Sequence, residues 1–212
     1  VLVTMANKAR QGFFHHFVVW ADNLKRTNAG LVFLVLLNIY FSANAIYVDY
    51  DHLLALPWYL VPLSPICALL VPLLIVWLLI FKIKKRVHPL FTGFLFVSLL
   101  LYGMMAYVYY PLTMAVDGVD IWTVLVLLFV TGWALQAFVL ASEVRPLQHV
   151  GYILITAYFM LKAYTDTFLG TFEDVDFWSR GVLGLLPVFT VVFLALLGVS
   201  LWATWLVGRR NT

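Results

Sequence analysis

The sequence predicts an all-α, polytopic transmembrane helical bundle of about six spans. Three observations predict it: charge is scarce, apolar runs reach the length that crosses a bilayer, and lysine and arginine recur in every second loop. Charged residues make up 11% of the 212 and hydrophobic residues 64%, at mean hydropathy +0.99. A soluble domain carries roughly 25% charged residues, so this composition cannot build a water-solvated surface. A membrane β-barrel would need alternating apolar and polar residues over about ten positions. Runs such as 69–81 are apolar throughout, which selects helices.

A helix needs about 20 apolar residues to cross the hydrocarbon core. The runs that qualify place spans at 31–48, 60–81, 90–110, 121–141, 150–169 and 181–207. Together they form one transmembrane domain over 31–207, with a short tail at 208–212. Residues 1–30 carry an apolar patch at 13–20 flanked by Lys8, Arg10, Lys25 and Arg26, and no small-residue cleavage site follows the patch. This reads as an amphipathic segment on the inner membrane surface, not a secretory signal.

Orientation follows from the basic residues, which stay preferentially in the cytoplasm. Lys8, Arg10, Lys25 and Arg26 precede the first span. Lys82, Lys84, Lys85 and Arg86 separate the second from the third, Arg145 separates the fourth from the fifth, and Arg209 and Arg210 follow the sixth. Arg180 alone falls on the other side. Both chain ends are therefore expected in the cytoplasm. The initial valine fits a non-standard start codon, and with it the cytoplasmic (inner) membrane of a prokaryote.

Irregular backbone is expected before the second span, where Pro57, Pro62 and Pro65 accompany Trp58 and Tyr59, and a kink is expected at Pro72. The two halves of the chain show no matching placement of proline, glycine or charge that would mark an inverted repeat.

Few residues in the spans carry chemistry. Lys162 and Asp166 stand i,i+4 in the fifth span and so share a helix face. Counting from residue 150, both fall in the outer half, where a lysine can reach outward to the interface and pair with its neighbour. Asn38 and Ser42 share a face of the first span, and Gln136 follows Gly132 by one turn in the fourth. Such residues more often hold helices together than bind substrate. Small residues that allow close approach recur at Gly93 and Gly103, and at Gly181, Gly184, Ala195 and Gly198.

The expected outer face gathers Asp49, Asp51, Asp117, Asp120, Glu173, Asp174 and Asp176. Carboxylates are tolerated where basic residues are excluded. The cluster also suits docking of a basic soluble partner, such as an electron carrier. It lacks the ordered ligand spacing of a calcium loop. The single cysteine, Cys67, excludes an intrachain disulfide and a cysteine-ligated metal site. Of the five histidines only His88 and His149 stand at span starts, so paired haem ligation deep in the membrane is not expected. No phosphate-binding loop, metalloprotease helix or nucleophile elbow is present. Neither a metal, nor an intrinsic cofactor, nor a nucleic-acid partner is expected. The aromatic content of 17% suits contact with lipid, quinone, pigment or neighbouring helices.

An ordered set of short motifs resembles the YpjA-like family of uncharacterised polytopic membrane proteins over about residues 30–200. Leu37-Asn38 through Tyr47 and Tyr50 resemble that family's asparagine-containing first span with its tyrosine-rich end. Pro57-Trp58-Tyr59 is similar to its Pro-Trp-Tyr element, and Val61-Pro62-Leu63-Ser64-Pro65 to its Val-Pro-Asp-Ser-Pro element. Tyr102-Gly103 and the Asp166–Gly170 spacing also match. Leu63 departs from the family's aspartate, and Lys162-Ala163 depart from an Asn-Asp pair. The resemblance implies a respiratory membrane setting without an established activity.

Two function classes lead, ahead of a membrane-embedded enzyme acting on lipid, for which the sequence offers no convergent catalytic set. The first is a non-catalytic accessory subunit of a larger membrane complex, in quinol-handling or electron-transfer membranes, respiratory or photosynthetic. The second is a small transporter or channel whose polar pathway uses Asn38, Ser42, Gln136, Lys162 and Asp166.

Overall fold

A computed structural model describes residues 26–48, 88–168 and 186–211, together with 16, 19–21, 23 and 24. The expected second span with its prolines, the basic stretch 82–86, Glu173, Asp174, Asp176 and Arg180 lie outside the described residues. Every regular element within them is a helix, without strands. The helices are α1 (Asn28–Val48), α2 (Pro89–Asp117), α3 (Ile121–Ala141), α4 (His149–Phe168) and α5 (Leu186–Arg210). Three stretches among the described residues are long and apolar enough to cross a membrane: Pro89–Leu112, Thr123–Ala141 and Phe189–Arg210.

Local chemistry sets the helix ends. Thr27 caps α1: its hydroxyl accepts from Gly30 N at 3.1 Å and its carbonyl from Leu31 N at 2.9 Å. A Cβ at Gly30 would run into Leu24 O and the Thr27 hydroxyl, so only glycine fits that bend. The turn joins α1 to an N-terminal segment whose Ala21 is buried in the bundle while Trp20 is exposed. At α2, His88 Nδ1 accepts from Leu90 N at 3.2 Å, and Pro89 occupies the first turn, where its missing N–H leaves no bond unmade.

The expected third span stopped at 110, before a proline. The helix instead runs through Pro111 to Asp117 and ends at Gly118, whose φ of 90° few other residues would adopt. The reason for the difference is physical. A proline removes one backbone bond without ending a membrane helix, because neighbouring helices and local adjustment absorb the loss.

α2 is the most buried of the three membrane-length helices and divides the interior. At 100° per residue its positions 95, 96 and 99 face one way and 97 and 101 the other. Leu95, Phe96 and Leu99 pack with Leu34 of α1 and with Ala137, Leu140 and Ala141 of α3. Val97 and Leu101 pack with Ile155 and Phe159 of α4 and with Phe193 and Leu197 of α5.

α2 and α3 form an antiparallel hairpin of close approach. A Cβ at Gly103 would lie 2.5 Å from Ala134 Cβ and 2.9 Å from its Cα, so the absence of a side chain lets the two backbones meet. One turn further along α2 and one turn back along α3, the Tyr107 hydroxyl donates to Thr131 Oγ1 at 2.7 Å.

The end that holds the start of α2, the end of α3, the start of α4 and the end of α5 is stapled. Asn211 Nδ2 donates to Ala141 O and Val144 O, each at 2.7 Å. These carbonyls lie where α3 has run out of helical donors. Gly208 closes the same joint: a Cβ there would lie 3.1 Å from Pro146 N and 3.2 Å from Arg145 O. Replacing Asn211 by alanine leaves both carbonyls short of a donor and is expected to cost about 1–3 kcal/mol, read as a lower unfolding temperature in detergent. Gly103→Leu is expected to cost more, because Ala134's backbone cannot give way.

Candidate functional site

Among the described residues, the polar side chains inside the bundle fall into two chemical kinds. Five buried hydroxyls satisfy themselves on their own helices. Thr92 donates to Pro89 O, Ser98 to Phe94 O, Thr165 to Lys162 O, Ser200 to Leu196 O and Thr204 to Ser200 O, at 2.7–3.2 Å. A hydroxyl reaches a carbonyl three or four residues back without any partner helix, so these groups carry no signal of a site. The longer polar side chains cannot close on themselves so completely, and they are Lys162, Asn38 and Gln136.

Lys162 is 1% exposed. Its ammonium lies 5.9 Å from the centroid of the Tyr102 ring, so the side chain reaches from α4 to α2. The wall around it is aromatic. Tyr102 and Phe193 flank Phe159 at ring separations of 6.2 and 6.5 Å, and Phe94 stacks on Phe159 at 5.7 Å. Sequence spacing had suggested that Lys162 reaches outward to the interface. The side chain is instead enclosed between helices, because its helical register with Phe159 and Ala163 turns it toward α2. A desolvated cation over a ring gains about 2 kcal/mol, whereas burying an ammonium costs several. The ring therefore cannot hold the charge by itself, and Asp166, one turn along, supplies the nearest opposite charge in sequence.

Asn38 and Gln136 lie on the other side of α2. Asn38 is 0% exposed and its Nδ2 donates to Leu34 O at 2.7 Å. Gln136 is 3% exposed, and among the described residues neither its Nε2 nor its Oε1, nor the Asn38 Oδ1, has a partner. An unmet buried polar group costs about 1–3 kcal/mol, and these three are the buried side-chain polar atoms without a hydrogen-bond partner among the described residues.

The sequence-derived candidates thus separate. Lys162 sits against Tyr102 on the α4–α5 side of α2, and Asn38 and Gln136 border the α1–α3 side. Ser42 and Asp166 lie on α1 and α4 with nothing described of their side chains. Asp120 is exposed just before α3 and Asp117 ends α2, so both belong to the connection between those helices, while Asp49 and Asp51 lie outside the described residues. His88 and His149 are both exposed, and among the described residues no three metal-binding side chains converge. Sequence reasoning missed Tyr102 as the residue facing Lys162, and the Tyr107–Thr131 bond. A tyrosine in mid-span, where its hydroxyl needs a partner, was the available signal.

The outward surface defines the class of the protein. Val32, Phe33, Leu36, Ile153, Val191 and Trp202 are all exposed, a display of large apolar side chains that water would penalise and lipid accepts. The fold is that of an α-helical membrane protein. No protein-family model matches the chain, and no curated protein or solved structure matches it either.

The burial of Lys162 yields a test of its pairing. Lys162→Met alone is expected to destabilise the protein more than Lys162→Met with Asp166→Leu, if the two form a pair, because the single change leaves one charge unpaired. Thermal unfolding of the two variants in the same detergent checks this. Equal or greater loss in the double variant would assign Lys162 a different partner.

Proposed function

We propose that this chain is a six-span, multi-pass protein of a prokaryotic inner membrane, with both ends cytoplasmic. Its role is that of a non-catalytic accessory subunit in a larger membrane complex of the quinol or electron-transfer type. The observation that carries the reading is the contrast between its small residues. Gly103 and Gly93 are filled from within, by Ala134 and by Leu147. Gly198 is different: a Cβ there would meet none of the described residues within 4 Å, and Ala195 on the same face of α5 is also exposed among them. A small-residue face that the described helices leave unused is what a neighbouring transmembrane helix needs for close approach. The resemblance to the YpjA-like family and the exposed Asp120 at the α2–α3 connection point the same way, the latter toward a basic partner.

Topology is supported by charge and packing together. Arg145, Arg209 and Arg210 lie at the stapled end of the bundle, and Asp117 and Asp120 at the α2–α3 connection of the opposite end. A reporter fused after Thr212 is therefore expected to read cytoplasmic, and one inserted at Gly118 external. Either result reversed would overturn the span count.

Ala195→Ile and Gly198→Ile are expected to shift the chain from a larger band to a monomer on native gels in mild detergent, with helicity unchanged. If the wild type already migrates as a monomer and crosslinks to nothing larger, the accessory-subunit reading falls.

The burial of Lys162 favours a second reading, a small transporter. An ionisable residue enclosed within a membrane bundle by default marks a route for ions or substrate. Such a route would run on the α4–α5 side of α2, since α2 stands between Lys162 and the amides. Ion flux in proteoliposomes that a stably folded Lys162→Met variant abolishes would support it.

A further inference from the structure

Asn38 and Gln136 each stand one helical turn from a member of one buried cluster. Leu34, Ala137 and Leu140 belong to a single buried cluster. Asn38 follows Leu34 by one helical turn and Gln136 precedes Leu140 by one turn. α1 enters that cluster with its N-terminal half and α3 with its C-terminal half, so the two helices run oppositely past it. Both steps therefore lead away from the stapled end, in the same direction along the bundle.

The atoms left without a partner define the guest. Asn38 Oδ1 and Gln136 Oε1 are acceptors, and Gln136 Nε2 is a donor. The orientation of the Asn38 amide is fixed, because only its nitrogen can donate to the Leu34 carbonyl at 2.7 Å. A guest that meets all three must donate twice and accept once. Water does this, and three bonds are what a buried water typically makes. A carbonyl compound cannot donate at all, an alcohol donates once, and a cation would not accept from the amide. The five buried hydroxyls do not compete for the guest, since each is already bonded on its own helix.

We propose that Asn38 and Gln136 form an internal water site that ties α1 to α3 within the apolar core. The site makes the amides stabilising where they would otherwise be a burden. It also puts a molecule that can donate and accept protons between helices whose remaining polar groups are locked in place.

Three measurements on the full chain in detergent test this. Gln136→Met keeps the side-chain volume and removes the amide, and Asn38→Leu does the same on α1. Each is expected to lower the unfolding temperature by roughly 3–6 °C, with the double variant costing less than the sum. A rise in unfolding temperature for Gln136→Met would show that the amide is simply unmet, and would overturn the site. Hydroxyl-radical labelling by X-ray pulses in 18O water then reads the guest itself. Labels on Leu34 and Leu140 that exchange slowly with bulk solvent are expected in the wild type and are expected to vanish in Gln136→Met. Loss of stability with no such label would mean that the two amides bond each other directly, and would also overturn the proposal. If Gln136→Met does not fold, Gln136→Glu supplies the second variant. Its carboxyl retains hydrogen-bonding capacity, so it is expected to keep the slow label, and an unlabelled, folded Gln136→Glu would count against the water.

Discussion

The absence of water around a membrane helix governs what this bundle does with every polar atom. A backbone group or side chain that finds no partner inside the protein has no solvent to fall back on. Hydroxyls escape the constraint cheaply by bonding back along their own helix, as Thr92, Ser98, Thr165, Ser200 and Thr204 do. Amide and ammonium groups cannot escape it so completely. That difference in reach is why the informative residues reduce to Asn38, Gln136 and Lys162, although the interior contains more polar side chains than these.

α2 turns the same constraint into architecture. Its two faces are both buried, one against α1 and α3 and the other against α4 and α5. A helix committed on both faces cannot also line a wide polar channel, and it keeps the amides apart from the lysine. The chemistry on its two sides differs accordingly. One side is aliphatic, with neutral amides at its margin. The other is aromatic, with Lys162 set against Tyr102, where ring faces temper a positive charge that aliphatic packing would leave bare.

Hydropathy made much of the helical layout legible. The expected 121–141 coincides with Ile121–Ala141, and 150–169 falls within one residue of His149–Phe168 at each end. Such runs are set by the bilayer and need no knowledge of neighbours. What depended on neighbours was not legible. The expected third span ended at 110, whereas the helix continues through Pro111 to Asp117 because its neighbours can absorb the missing bond. The spacing of Lys162 and Asp166 showed that they share a face but not which way the face points. Gly103 and Gly198 look alike in sequence, yet one lies against Ala134 and the other meets none of the described residues within 4 Å. Asn211 gave no signal at all, since an asparagine after a helix usually serves that helix and this one serves another.

That last residue has a mechanical consequence. With Asn211 holding the end of α5 to the α3–α4 joint, and Gly208 pressed on the same backbone, this end of the bundle behaves as a pivot. Relative motion of α3, α4 and α5 must then grow with distance from it. A tilt of about 10° about the pivot moves the far end of a span of about 30 Å by roughly 5 Å, close to one helical turn. Lys162 lies thirteen residues along α4 from His149, well out on that lever arm. A small adjustment at the stapled joint would thus be read as a larger displacement where the buried lysine sits.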